Sequence, residues 1–234
     1  MMLALHSDSP GGNVILILTL VAMVVAAIYT ALRQARNPRE RSLELWALNQ
    51  KLKFDSFNPE RDDEFVLGWG FLSRLTQGDE RYAFNILRGT YHEQPLIVFD
   101  YHYQTGSDKK HEDHYGTVLM FVVKEAFPKL TIRPENPGLK IAEALGVVND
   151  IKFESAEFSR EYCVRSTDKK FAYDVCNPQM IEYLLANRGL QIEIQGPVIS
   201  LAFEPQLPVG QIEFNLQRLV EIRSRLPQYL FTNA

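Results

Sequence analysis

Residues 95–123 read PLIVFDYHYQTGSDKKHEDHYGTVLMFVV, and this stretch decides the class of the fold. Its two ends, 95–103 and 115–123, are rich in β-branched and aromatic residues, which suit a pleated, half-buried surface. The polar run with Gly106 between them supplies a turn centred near residue 107, so the spacing predicts a long antiparallel hairpin. Upstream, Tyr82, Phe84 and Ile86 alternate with Ala83, Asn85 and Leu87, the period of a strand. Downstream, LTIRPE at 130–135 adds another, and the region reads as a meander.

Beyond it the signals mix. GLKIAEALG at 138–146 reads as a short helix closed by Gly146, and DIKFES at 150–155 and EYCVRS at 161–166 read as strands. Ser166 and Asp168 offer helix N-caps, and Asn177 followed by Pro178 forms an N-cap and N1 pair for a helix that Gly189 ends. Residues 190–195 then alternate, Gly196-Pro197 turns, and VISLAF returns as a second hairpin. A last amphipathic helix from Val209 to Leu226 carries Ile212, Leu216, Leu219 and Val220 on one face. Two more helices are expected nearer the start: one after Pro38 with Leu45, Leu48 and Leu52 on its stripe, and one from Asp62 to Leu75 with Phe65, Trp69 and Leu72. Antiparallel pairs with helices between them, and no regular βαβ alternation, point to an α+β domain.

The N-terminal end has another character. Val14 to Leu32 is nineteen residues without a charge, which as a helix rises about 28 Å, close to the hydrocarbon thickness of a bilayer. Arg33, Arg36, Arg39 and Arg41 follow the run and no basic residue precedes it, so the positive-inside rule puts the C-terminal side in the cytoplasm. The expected organisation is a tail over 1–13, a transmembrane helix over 14–32, a basic juxtamembrane linker over 33–41 and a soluble cytoplasmic α+β domain over 42–234. That is a single-pass protein of the bacterial inner membrane with its N-terminus outside. Its expected partners are the lipid bilayer through 14–32 and a protein at the membrane.

Composition narrows function. A formal net charge of −4 with mixed signs lacks the footprint of a nucleic-acid binder. The two cysteines, Cys163 and Cys176, form no C-x-x-C pair and read as buried thiols. No phosphate loop, dinucleotide fingerprint or nucleophile elbow occurs, so no catalytic residue is named and no cofactor is expected. One cluster has metal-binding chemistry. Asp100 and His102 precede the hairpin loop, His111 and His114 follow it, and pairing about residue 107 would bring imidazoles and carboxylates to one tip. The sequence therefore supports a non-enzymatic, membrane-tethered interaction domain, with a membrane-bound metal-dependent enzyme using that cluster as the alternative.

Phe158, Tyr162, Val164, Ser166, Asp168, Ala172 and Pro178 follow the pattern Phe-x-x-x-Tyr-x-Val-x-Ser-x-Asp-x-x-x-Ala, then a proline and a short apolar helix. In this the chain resembles a bacterial family of single-span membrane proteins that carry a domain of unknown function. The resemblance implies an anchor followed by one domain and implies no activity. The pattern also has a physical reading, in which Ser166 and Asp168 cap a helix and the apolar positions fill a core.

Overall fold

The computed structural model describes residues 18–25, 37–56, 78–107, 110–135 and 150–231. The chain divides into two units, residues 1–42 and 43–234. In the first, residues 18–25 are helical (α1) and exposed. Among the described residues no helix is long and apolar enough to cross a membrane. This corrects the expected transmembrane helix over 14–32, and with it the single-pass inner-membrane assignment; residues 14–17 and 26–32 lie outside the described residues. In place of an anchored α+β domain, the architecture is a mostly antiparallel six-stranded sheet with several helices.

Helix α2, Pro38–Asn49, begins with proline at its first position, and the Asn37 side chain accepts from the Arg39 amide at 3.1 Å. Its buried residues are Leu43 and Ala47, one turn apart. The expected stripe is thereby corrected, because Leu45 and Leu48 are exposed. The expected helix over 62–75 and the one over 138–146 lie outside the described residues.

In chain order there follow β1 (Lys53–Asp55), β2 (Asp79–Tyr91), β3 (Gln94–Ser107), β4 (Lys110–Pro134), α3 (Ala156–Glu161), β5 (Tyr162–Ser166), α4 (Lys169–Val175), α5 (Pro178–Ala186), β6 (Ile192–Phe203) and α6 (Ile212–Arg225). Strands β1 to β5 neighbour one another in sequence order, and β6 pairs with β4. β2 and β3 meet in a two-residue turn, His92-Glu93, with φ of 46° and 64°. Both central residues are left-handed, which is the geometry that matches the twist of a tight hairpin.

β6 turns back on itself. The Ala202 amide donates to the Gln191 carbonyl at 3.0 Å and Ser200 Oγ to the Glu193 carbonyl at 2.9 Å. A straight strand would hold residues 191 and 202 about 35 Å apart. Gly196, at φ 54°, makes the reversal beside Pro197, as the sequence indicates. Each arm pairs with its own part of β4, 198–203 with 117–122 and 192–196 with 127–132, so β4 holds both the expected strand at 115–123 and the one at 130–135.

Alternation then divides the sheet into two faces. One carries Leu119, Phe121, Leu130, Ile132, Ile192, Ile194, Ile199 and Leu201, and packs with residues of α2, α5 and α6 in the main core. The other carries Phe99, Tyr101, Val118, Met120 and Val198 in a second cluster. The main-core face is also tied at its edge: Tyr91 Oη donates to Glu213 at 2.6 Å, and Gln50 donates to the same carboxylate at 3.0 Å. One acidic side chain of α6 thus joins β2 to the residue just past α2.

Residues 150–155 are not the strand expected of them. The Ile151 amide donates to the Val164 carbonyl at 2.8 Å, but the Phe153 amide turns to Ser159 Oγ at 3.2 Å, and Ser155 accepts from the Phe158 amide and starts α3. The caps at Asp168 and Asn177 form as the sequence indicates, accepting from the Phe171 and Met180 amides at 3.1 Å each. Asn177 also donates through Nδ2 to the Arg225 carbonyl at 2.9 Å, joining the start of α5 to the end of α6. Nδ2 also donates to the Asp174 carbonyl at 3.3 Å. Asn177→Ala loses all three bonds and should cost about 1 to 2 kcal/mol in a denaturant titration. Asn177→Ser keeps a capping acceptor without setting a second oxygen against the Asp174 and Arg225 carbonyls and should recover part of that loss; equal losses in the two variants would mean the cap contributes nothing.

Candidate functional site

The hairpin register decides what becomes of the sequence candidates. Ser107 pairs with Lys110 and His102 with Tyr115, so the turn centres beyond residue 107 and partners shift by three positions from those expected. Asp100 and His102 lie on the main-core face of β3, two residues apart. His114 pairs with Tyr103 and therefore lies on the opposite face, and His111 is exposed opposite Gly106. Among the described residues no group of three or more His, Cys, Asp or Glu side chains is placed to hold a metal ion.

Asp100, His102 and His114 each have their own protein partners. Asp100 is buried; Asn85 Nδ2 donates to its Oδ2 at 2.9 Å and Thr117 Oγ1 to its Oδ1 at 2.7 Å. Asn85 reaches it from an irregularity in β2, at φ 52°. Thr117 in turn accepts from the Leu207 amide at 3.1 Å, so the carboxylate also fixes the segment that leaves β6. His102 Nδ1 lies 3.0 Å from the Glu80 carbonyl and Nε2 2.8 Å from Asp113 Oδ1. Both neighbours are acceptors, so the two bonds form together only when both ring nitrogens carry protons. The hydrogen bond from His102, and a second from Gln104, hold the Asp113 carboxyl below the usual carboxylate range.

On the other face, Glu204 gathers Tyr103 Oη at 3.1 Å, Tyr101 Oη at 3.4 Å and His114 Nδ1 at 3.2 Å. With Nδ1 donating, His114 Nε2 accepts from the Thr105 hydroxyl at 2.7 Å. The ring stacks on Tyr103 with centroids 4.6 Å apart. Gly116 is required here, because a Cβ at that position would sit 2.2 Å from the Tyr101 ring. These side chains lock the hairpin to the residues after β6.

Two concave surfaces lie elsewhere, around the stretch that carries the sequence pattern. Phe158, Tyr162, Val164 and Ala172 are all core residues, while Ser166 donates to the Lys129 carbonyl at 2.8 Å. On one side of this frame an apolar groove of about 520 Å³ runs between residues 153–155 and helices α4 and α5. Phe153, Tyr173, Pro178, Ile181 and Leu185 line it with the buried Cys176, and its charged residues are Glu154 and Glu182. Phe153 meets Phe158 and Tyr173 edge-on at 5.4 and 5.2 Å, which fixes the groove wall. Burial pushes the Cys176 thiol up to about 12, so it serves as a floor and not as a nucleophile. Sequence reading did not find this groove. Its one legible sign is Tyr173, a large aromatic on the outer side of a capped helix and half exposed.

No protein-family model matches the chain, and no curated protein matches it by sequence. Among solved structures, the chain is similar to the crystal structure of the mycobacterial trehalose monomycolate transport factor A, TtfA. The TM-score is 0.52 at 13% identity, over 82% of this chain and 98% of that one. At that identity the likeness is one of fold.

The His102–Asp113 bond has a titration consequence. A carboxyl with a depressed folded pKa adds stability above its unfolded value, near 4, and loses it as pH falls through the lower folded value. Carbon-detected NMR should show Asp113 titrating below the other exposed aspartates, and His102→Phe, which keeps a ring but no donor, should move it back toward them. An unmoved titration in the variant would remove His102 as the cause.

Proposed function

We propose that residues 43–234 form a non-enzymatic binding domain that holds a protein partner in the groove between residues 153–155 and helices α4 and α5. The observation that carries this reading is the groove itself: an apolar lining whose charged members are two carboxylates, Glu154 and Glu182. Apolar concavities with a few convergent polar groups are where proteins take ligands. The sign of the rim selects the occupant. An amphipathic segment that buries an apolar side chain and sets Lys or Arg against Glu154 and Glu182 is favoured, and an anionic lipid is repelled. A metal-dependent enzyme finds less support, since His102 and His114 stand on opposite faces of the hairpin and each is engaged by neighbouring side chains. The structural neighbour is named a transport factor, which agrees with a role in holding rather than converting.

The test uses the full chain and a fluorescent amphipathic helix made of leucine and lysine, read by anisotropy, with a leucine and glutamate helix as its counterpart. The lysine peptide should bind and the glutamate peptide should not. Tyr173→Ala, at a half-exposed position, should weaken binding about ten-fold, in keeping with a central aromatic contact. Glu154→Lys with Glu182→Lys should reverse the preference. Equal binding of both peptides, or no response to any of these variants, would refute the assignment. Saturable uptake of a fatty acid without peptide binding would replace the protein partner by an acyl chain.

A further inference from the structure

The second concavity has the opposite charge. Lys129, Thr131 and Arg133 alternate along the last arm of β4, so their side chains share one face while Leu130 and Ile132 enter the main core. Arg165 on β5 pairs directly with Thr131 and adds a third cation to the same face. Together with Ser166 and Thr167 these residues enclose about 360 Å³. The lining thus holds three cations and three hydroxyls, of which Ser166 Oγ already gives its proton to the Lys129 carbonyl, and the carboxylates of Asp150 and Glu193 stand beside it.

The frame of this cleft is fixed. Ser166 Oγ and the Thr167 amide both donate to the Lys129 carbonyl, at 2.8 and 3.0 Å. Asp150, with its side chain almost fully buried, accepts from Arg165 Nε at 2.8 Å and so orients the guanidinium. Arg165 Nη2 is buried and has no hydrogen-bond partner among the described residues, a donor that calls for an acceptor. Asp150 Oδ2 is unpaired as well, and the buried Glu193 pairs with Thr131 from the β6 side; neither residue belongs to the wall.

We infer that this cleft binds the phosphate group of a phosphomonoester. A tetrahedral dianion presents several acceptor oxygens, which match donors converging from two adjacent strands, and charge-assisted bonds to arginine are the stronger kind. The volume exceeds what phosphate alone fills and is of the size of a small-ligand pocket, so a phosphomonoester fits better than the free ion. The site is separate from the apolar groove and does not depend on it.

Two sources could supply the group, a soluble phosphomonoester or a lipid headgroup, and two arms separate them. The full chain is titrated with inorganic phosphate and with glycerol 3-phosphate, followed by amide chemical shifts of residues 129–133 and 165–167. It is also sedimented with phosphatidylcholine vesicles with and without phosphatidic acid. Saturable shifts with glycerol 3-phosphate assign a soluble ligand; co-sedimentation dependent on phosphatidic acid without such shifts assigns a headgroup. In either case Lys129→Ala and Arg133→Ala should each weaken binding about ten-fold, and the double variant should abolish it while the circular dichroism spectrum is kept. Absence of binding in both arms overturns the inference. So does binding that survives the double variant.

Discussion

The reversal of β6 at Gly196-Pro197 is the constraint on which the rest of the sheet depends. Because the strand turns back, it places two arms between the two halves of β4, and a single long pair becomes a broad antiparallel sheet. Ile192, Ile194, Ile199 and Leu201 then fall on one face together and give the helices a continuous apolar surface to cover. Burial on that scale, at about 25 cal/mol per Å² of apolar surface, is the main favourable term for the fold. On the opposite face the same reversal separates the two halves of β4. Val118 and Met120 stay in an apolar cluster, while Lys129, Thr131 and Arg133 are carried to the far side, beside β5.

Function then follows position. The hairpin of β3 and β4, where the sequence concentrates histidine and carboxylate, is spent on holding itself together. Asp100 anchors Asn85, Thr117 and through it Leu207, and Glu204 collects two tyrosines and His114. A buried polar group left without a hydrogen-bond partner costs about 1 to 3 kcal/mol, so these bonds hold the partners of Asp100 in place. Two concave surfaces lie elsewhere. One, between residues 153–155, α4 and α5, is apolar with an acidic rim; the other, on β4 and β5, is basic and rich in hydroxyls. Two surfaces of opposite sign on one small domain suit a protein that holds partners, and neither carries a nucleophile activated for chemistry.

Much of this was readable beforehand wherever the signal is local. The caps at Asp168 and Asn177, the proline that opens α5, the turn at Gly196-Pro197 and the β-branched and aromatic strand at 95–103 are each fixed within a few residues, and each forms as read. The failures are of two kinds. His92-Glu93 forms a tight turn with both residues left-handed and without the Asn-Gly chemistry that announces one, so the β2–β3 hairpin left no mark. The turn between β3 and β4 sits beyond the expected centre, and that small error turned neighbours into residues on opposite faces. The apolar run at 14–32 reads as a membrane helix by its length, its lack of charge and the arginines that follow it, yet among the described residues no helix has the length and apolarity to cross a bilayer. The groove and the basic cleft were beyond reach because each is assembled from segments distant in sequence, although Lys129, Thr131 and Arg133 do show the period of two that marks an exposed strand face.

The central claim is that partner binding occurs at the groove of α4 and α5, and a methyl NMR spectrum of the full chain with the leucine and lysine peptide tests it most directly. Ile181 and Leu185 line the groove, whereas Leu119 and Ile132 lie in the core beneath the sheet. The account requires shifts at the Ile181 and Leu185 methyls that saturate with peptide, with Leu119 and Ile132 unmoved. Shifts confined to other methyls, or none at saturating peptide, would contradict it.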